Sequence, residues 1–166
     1  MAERQVQILM GSDSDAPTMQ RTVDVLSDLG ISCEMTVASA HRSPGRVLDL
    51  VRSAPLEGVK VFVVGAGAAA HLAGVVAAHS TLPVIGVPID SSPLQGWDAL
   101  LATVQMPPGV PVATVSVGKA GATNAGVLAA QILALADPTI ATALSTYKAA
   151  LAKNVERAAA KVEIRA

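Results

Sequence analysis

A short polar segment, Gly11-Ser12-Asp13-Ser14-Asp15, follows the first predicted strand and holds two hydroxyls beside two carboxylates. It leads into a predicted helix, whose free backbone N–H groups and dipole favour a bound phosphate, with the Ser12 and Ser14 hydroxyls as further donors. Asp15 would repel a phosphate but can accept hydrogen bonds from ribose hydroxyls. The segment lacks the Lys-Ser/Thr pair of a P-loop. Because caps rich in Ser and Asp are common, the segment by itself slightly favours an N-capping loop that binds nothing.

The segment after the second predicted strand, Ser39-Ala40-His41-Arg42-Ser43-Pro44, places a histidine beside an arginine. The Arg42 guanidinium can hold a phosphate through two parallel hydrogen bonds. His41 can transfer a proton near neutral pH, which is the usual catalytic use of an imidazole. The alternative is a solvated pair that caps the next helix. The position at the carboxyl end of a strand favours function, because α/β sheets bind ligands there.

A glycine-rich segment, Gly65-Ala66-Gly67-Ala68-Ala69-Ala70-His71-Leu72, follows the third predicted strand. It matches the dinucleotide-binding pattern G-x-G-x-x-G/A, and Asp90 lies at a suitable distance along the chain. An NAD(P)-binding oxidoreductase that uses the 65–70 turn is therefore an alternative function. One feature argues against this function: the pattern normally opens the first βαβ unit, whereas here it follows the third predicted strand. His71 is either a second proton carrier or, as is more common, a core histidine bonded to a backbone carbonyl.

Alternating strand and helix patterns define the elements that must position these segments. The predicted strands cover residues 5–10, 31–38, 59–64, 82–87 and 110–117. The predicted helices cover residues 16–29, 44–53, 68–79, 97–104, 119–135 and 138–160, with Asp15 and Ser43 as the caps of the first two. This order predicts an α/β fold, a flavodoxin-like three-layer αβα sandwich around a parallel five-stranded sheet, with an extended C-terminal helix. The carboxyl ends of its strands should carry the site.

The last predicted helix has an apolar stripe that the sheet domain leaves without an assigned partner. The stripe comprises Ile140, Leu144, Tyr147, Leu151 and Val155. We therefore divide the chain into a flavodoxin-like sheet domain, residues 1–136, and a C-terminal helix, residues 137–166, that we expect to pack on a neighbouring subunit. Only 15% of the residues are charged, against about 25% in a typical domain, so a homo-oligomer is expected.

Charge and cysteine content exclude several classes of function. The net charge of −1 leaves no basic field for nucleic acid and no basic run for a membrane surface. The single cysteine, Cys33, cannot form an intrachain disulfide, which fits a reducing, cytoplasmic location, and the N-terminus lacks a signal-peptide core. No metal-ligand spacing and no G-x-S-x-G elbow occurs, so metal and acyl-serine chemistry are not expected.

Taken together, six motifs in order resemble the N5-carboxyaminoimidazole ribonucleotide mutases of purine biosynthesis, the PurE family, over residues 5–135. These motifs are Gly11-Ser12-x-Ser14-Asp15, Ser39-Ala40-His41-Arg42, Gly65-Ala66-Gly67-x-Ala69-Ala70-His71-Leu72, Gly86-Val87-Pro88, Val104-Gln105-Met106-Pro107-x-Gly109-Val110-Pro111-Val112 and Gly118-Lys119-Ala120-Gly121-Ala122-x-Asn124. The third and fifth motifs resemble the bacterial mutase class rather than the carboxylase class that uses free CO2.

The resemblance implies a homo-octamer that isomerises N5-carboxyaminoimidazole ribonucleotide to 4-carboxy-5-aminoimidazole ribonucleotide without metal, ATP or organic cofactor. It implies that His41 is the catalytic acid/base, and it assigns the remaining site residues to substrate binding. Ser12, Ser14 and Arg42 would hold the 5′-phosphate, Asp15 the ribose, and Ser39, Ala66, Gly67, His71 and Leu72 would lie around the ring and carboxyl group.

The third motif departs from the common form G-A-G-G-A-A-H-L-P-G-M in three positions. Ala68 stands for a glycine, Ala73 for the proline and Val75 for the methionine. From the alanine we expect a negative φ at position 68, since only glycine adopts positive φ without cost. Loss of the proline frees the backbone of the loop.

Overall fold

A computed structural model describes residues 4–162 as five parallel strands flanked by helices on both faces. The strands are β1 (Val6–Met10), β2 (Cys33–Val37), β3 (Val61–Gly67), β4 (Val84–Ile89) and β5 (Ala113–Thr114). The helices are α1 (Ala16–Asp28), α2 (Pro44–Ser53), α3 (Leu72–His79), α4 (Trp97–Val104), α5 (Gly118–Ala134) and α6 (Pro138–Val162). The strand order β2-β1-β3-β4-β5 confirms the predicted flavodoxin-like sandwich.

Two hydrophobic cores lie on opposite faces of the sheet, because alternate residues of each strand point to opposite sides. Ile8 and Val63 face α1 and α5 in one core. Leu9 and Phe62 face α2 and α3 in the other. Both faces of β1 and β3 are therefore covered, which explains why these strands read as unbroken apolar runs.

Several predicted helix boundaries match the structure, whereas the second to fifth strands differ from their predicted limits; β4, for example, spans Val84–Ile89 rather than residues 82–87. Helices α2 and α4 have the predicted limits. Strand β3 continues through Gly67, and α3 begins only at Leu72, so residues 68–71 connect the two rather than opening the helix. Only Ala113 and Thr114 of the predicted fifth strand pair with β4. Pro111, inside the predicted range, lacks the backbone N–H that pairing requires.

The expectation of a negative φ at Ala68 is wrong. Ala68 has a φ of 50°, in the left-handed region. A helix needs φ near −63°, so this residue ends the strand geometry and delays the start of α3. The backbone conformation suited to a glycine is thus kept with an alanine, which costs about 1–2 kcal/mol for an L-residue.

Asp15 occupies the predicted N-cap position of α1, but its side chain does not cap the helix. A short 3-10 turn, Asp13–Asp15, precedes α1, and the Ser12 hydroxyl caps that turn by accepting from the Ser14 N–H. Asp15 has helical backbone angles and its side chain makes no capping hydrogen bond. Its carboxyl group is therefore not used at the helix terminus.

The C-terminal helix packs on its own chain over the first part of its length. Ile140 is buried in the core beside α5, and Leu144 and Tyr147 pack against the same cluster. The expectation that this face has no partner within the monomer is wrong for these residues. Leu151 and Val155 are 48% and 70% exposed, so the second part of the stripe faces outward.

Two classes of feature are absent from residues 4–162. None of the helices there combines the length and apolarity needed to cross a membrane. Nor do three or more His, Cys, Asp or Glu side chains in that range come together as a set of metal ligands.

Candidate active site

A cavity of about 380 Å³ opens at the carboxyl ends of β1, β2 and β3. Carboxyl ends of parallel strands share one edge of the sheet, so the loops after β1, β2 and β3 converge there. Nine of the ten predicted site residues line it, namely Ser12, Ser14, Asp15, Ser39, His41, Arg42, Ala66, Gly67 and Leu72. The tenth, His71, lies outside the lining but contacts one of these residues.

Hydroxyls and a guanidinium converge where the β1 and β2 loops meet. The Ser14 hydroxyl donates to the Ser12 hydroxyl, with 2.9 Å between the oxygens. Arg42 reaches across from the β2 loop, and its Nη2 donates to the Gly11 carbonyl oxygen at 2.9 Å. This bond holds the positive charge beside the two hydroxyls, at the start of a helix. The group can bind an anion such as a phosphate.

Asp15 lies beside these groups as a buried carboxyl, only 5% exposed. Burial raises the pKa of Asp15, because removal from water disfavours the charged form. A backbone hydrogen bond with Ser12 and the positive charge of Arg42 act in the opposite direction on this pKa, and the negative charge of Asp13 adds to the increase. A buried acceptor at a cavity wall is suited to hydroxyl groups of a ligand.

Two histidine rings contact each other at the mouth of the cavity. His41 Nε2 and His71 Nδ1 are 2.8 Å apart, and the rings meet edge to face with centroids 4.9 Å apart. Position 71 immediately precedes α3, while position 41 lies in the loop after β2. The more common alternative for His71, a core histidine bonded to a carbonyl, is therefore wrong: its ring is exposed and its partner is a histidine.

Part of the remaining cavity wall is apolar and buried. Ala66 and Leu72 are buried, with 9% and 2% exposure. Ser39 is equally buried, and its hydroxyl accepts from the Arg42 backbone N–H at 3.2 Å. Such a wall excludes water and offers few polar partners that could compete for a small apolar molecule.

The glycine pattern does not form a dinucleotide-binding turn. Gly65 and Gly67 lie within β3, and α3 starts two residues after the third position of the pattern. A Cβ at position 65 would overlap the Met19 side chain, so Gly65 is explained by the packing of α1 on the sheet. The oxidoreductase alternative therefore has no geometric support.

Sequence reasoning missed four residues of the cavity lining. They are Gly11, Ala40, Ala69 and Ser91. Gly11 and Ala40 adjoin predicted residues, Ala69 lies between Gly67 and His71, and none of the three has a reactive side chain. Ser91 comes from the loop after β4, and the only available signal was its place just beyond a strand's carboxyl end.

Comparison with known proteins agrees with this geometry. The profile of the AIR carboxylase family matches residues 5–154. The chain belongs to the AIR carboxylase family. Among its relatives is an N5-carboxyaminoimidazole ribonucleotide mutase of Bacillus subtilis, 54% identical over 82% of this chain and 84% of the relative. Another mutase of that name, from Thermotoga maritima, is 47% identical over 95% of this chain and 91% of the relative.

A solved structure of an AIR carboxylase family relative has the same fold. The crystal structure of Treponema denticola PurE superposes with a TM-score of 0.88 and 28% sequence identity, covering 97% of this chain and 99% of that one. The resemblance inferred from the six motifs is thus confirmed at the level of family and fold.

Proposed function

We propose that this protein is an N5-carboxyaminoimidazole ribonucleotide mutase, which isomerises that nucleotide to 4-carboxy-5-aminoimidazole ribonucleotide in purine biosynthesis. One observation carries the proposal. A single cavity joins an anion-binding end, a histidine and an apolar wall, in a chain 54% identical to a protein of that name. The substrate has a phosphate, a ribose and a carboxylated imidazole in the same linear order.

The phosphate and ribose are bound at the β1 and β2 loops. The Ser12 and Ser14 hydroxyls, the α1 N-terminus and the Arg42 guanidinium hold the phosphate. Asp15 accepts hydrogen bonds from ribose hydroxyls. These contacts are remote from the reacting atoms, so their binding energy orients the imidazole without taking part in bond changes.

The reaction moves a carboxyl group from the exocyclic nitrogen to ring carbon four. Cleavage of the C–N bond leaves its electron pair on nitrogen, which takes a proton, and CO2 is released within the cavity. The electron-rich ring carbon then attacks CO2, and loss of the proton from that carbon restores the aromatic ring. Atoms and electrons balance without an oxidant or reductant, so we propose no metal, ATP or organic cofactor. The walls formed by Ala66, Gly67 and Leu72 retain CO2.

His41 is the group that moves this proton. As imidazolium it donates to the nitrogen during C–N cleavage, and as imidazole it accepts the proton from carbon four, so it returns to its starting state. His71, 2.8 Å away, fixes the orientation of the His41 ring. Ser39 and the backbone around Gly67 lie next to the carboxyl group and can stabilise its charge.

We further propose an assembly and a cellular location for the protein. The chain forms a homo-octamer in the cytoplasm, and the exposed part of α6, with Leu151 and Val155, packs on a neighbouring subunit. In this division residues 1–136 form the catalytic domain and residues 137–166 the helix that reaches the neighbour; residues 1–3 and 163–166 lie outside the described part of the chain.

The direct test is to incubate the protein with N5-carboxyaminoimidazole ribonucleotide without bicarbonate or ATP and to follow the carbon-carboxylated product. Wild type should form it, and absence of product would overturn the proposed function. His41→Asn should still bind the nucleotide but turn over at least about 10²-fold more slowly, the usual contribution of a general acid/base. Near-normal turnover would remove His41 from the mechanism.

A further inference from the structure

Ser91 lies two residues after the end of β4. Among the residues that line the cavity, it is the one with a polar side chain to which the proposed mechanism assigns no role. Its side chain lies directly over the Cα of Gly67. A Cβ built at position 67 would overlap the Ser91 hydroxyl and would come within 3.1 Å of the Ile89 carbonyl oxygen. The missing side chain of Gly67 therefore makes room for this hydroxyl at the cavity wall.

The Ser91 hydroxyl has no hydrogen-bond partner among residues 4–162. The other cavity hydroxyls each make at least one hydrogen bond within the protein: Ser14 donates to Ser12, and Ser39 accepts from the Arg42 N–H. A hydroxyl group loses little by remaining unpaired in solvent, but it can donate and accept when a ligand arrives. Both the donor and the acceptor capacity of the Ser91 hydroxyl are thus available to a bound molecule.

The sheet order gives the part of the ligand that Ser91 can reach. Strand β4 is separated from β1 by β3, and neighbouring strands lie about 4.8 Å apart. The loop after β4 is therefore about 10 Å from the loop after β1 in the plane of the sheet. With the phosphate at Ser12 and Ser14, Ser91 faces the opposite end of a ribonucleotide, where the imidazole carries its carboxyl group.

We propose that the Ser91 hydroxyl donates a hydrogen bond to the carboxylate on ring carbon four. The proposal rests on the proposed function and adds to it a binding residue that distinguishes the carboxylated nucleotide from the aminoimidazole ribonucleotide without the carboxyl group. A donor at this position favours the state in which the carboxyl group has reached carbon. A hydrogen bond to a charged group contributes about tenfold or more in affinity.

The test is calorimetric titration of the full-length protein with two ligands, 4-carboxy-5-aminoimidazole ribonucleotide and 5-aminoimidazole ribonucleotide. Ser91→Ala should lower the affinity for the carboxylated nucleotide by at least about tenfold. It should change the affinity for 5-aminoimidazole ribonucleotide by less than about twofold. Ser92→Ala is the matched control in the same loop, because the Ser92 hydroxyl accepts from the Leu94 N–H and does not line the cavity. It should leave both affinities unchanged.

The outcomes separate this inference from the function on which it rests. If wild type binds neither nucleotide, the proposed function fails and the inference fails with it. If wild type binds both and Ser91→Ala binds them as wild type does, the inference alone is overturned. Equal weakening of both ligands also overturns it, because a bond to the carboxylate cannot affect a ligand that lacks one. Unchanged thermal unfolding of Ser91→Ala excludes loss of the fold as the cause.

Discussion

His41 Nε2 and His71 Nδ1 are 2.8 Å apart, close enough that one of the two nitrogens must carry the proton between them. The side chains reach this distance from different elements, the loop after β2 and the residue before α3. The orientation of the proposed acid/base ring therefore depends on a second ring. Because the two share one proton, the state of His71 also decides whether His41 Nε2 acts as donor or acceptor in this pair.

The first prediction concerns His71→Asn. The shorter amide cannot hold the His41 ring in the same position, and misplacement of a catalytic group by about 1 Å can cost about 10²-fold in rate. We expect kcat to fall by tenfold to about a hundredfold, with KM nearly unchanged and an altered pH profile of kcat. Steady-state kinetics over a range of pH measures all three. A change confined to thermal stability would mean that the contact is only structural.

The second prediction concerns the buried carboxyl of Asp15. Burial raises the pKa of Asp15 above 3.8, so the folded state binds this proton more tightly than the unfolded chain does. Below pH 3.8 the carboxyl is protonated in both states and contributes no penalty. As the pH rises from 3.8 through the raised pKa, the unfolded chain loses its proton before the folded protein does. The free energy of unfolding therefore falls over this range.

Asp15→Asn should therefore be more stable than wild type at pH 7, and the difference should shrink as the pH approaches 3.8. Urea unfolding at several pH values measures this. Asp28→Asn, which removes an exposed carboxylate near the end of α1, is the control for the loss of one charge. A stability gain that does not depend on pH would contradict the explanation. The same variant should bind ribonucleotide more weakly, since the proposed ribose acceptor is altered.

The third prediction concerns the left-handed backbone of Ala68, with its φ of 50°. Ala68→Gly should increase the free energy of unfolding by about 1 kcal/mol, because glycine adopts this conformation without the steric cost of a Cβ. Ala69→Gly is the matched control: its φ is not positive, so glycine there should destabilise the protein. Urea denaturation of the two variants decides. A destabilised Ala68→Gly would show that position 68 carries no strain.

The fourth prediction concerns the exposed part of α6. Leu151 and Val155 lie one helical turn apart and are largely exposed in the single chain. If they contact a neighbouring subunit, Leu151→Glu combined with Val155→Glu should lower the mass of the assembly in sedimentation. The control pair, Ala149→Glu with Ala160→Glu, introduces the same charge on the opposite side of the helix and should leave the mass unchanged. An unchanged oligomer in the first pair would refute the contact.

Much of the fold follows from local patterns, whereas the errors arise where tertiary context decides. Helices α2 and α4 were predicted to their end residues because proline, glycine and hydropathy mark them. The sequence pattern predicts a helix at Ala68, because alanine favours helices, and nothing local reveals its positive φ. Likewise, the sequence does not reveal that Ile140 packs into the hydrophobic core of its own chain.

The candidate site was predictable to the extent that topology alone gathers it. The β1, β2 and β3 loops had to converge, so Ser12, His41 and Ala66 were expected together and line one cavity. Two relationships depend on side-chain geometry and could not be predicted. One is the His41–His71 contact, because two loops of unknown conformation determine it. The other is the position of the Ser91 hydroxyl over Gly67, because nothing in the sequence of a polar loop indicates that one of its serines reaches the cavity.

The central claim is that a carboxyl group moves between two atoms of one bound imidazole without leaving the cavity. It is tested most directly with N5-carboxyaminoimidazole ribonucleotide labelled with ¹³C in the carboxyl group, in buffer that contains unlabelled bicarbonate. NMR of the product should show the label on the carbon attached to ring carbon four. An unlabelled product, with the ¹³C found in bicarbonate, would contradict the account.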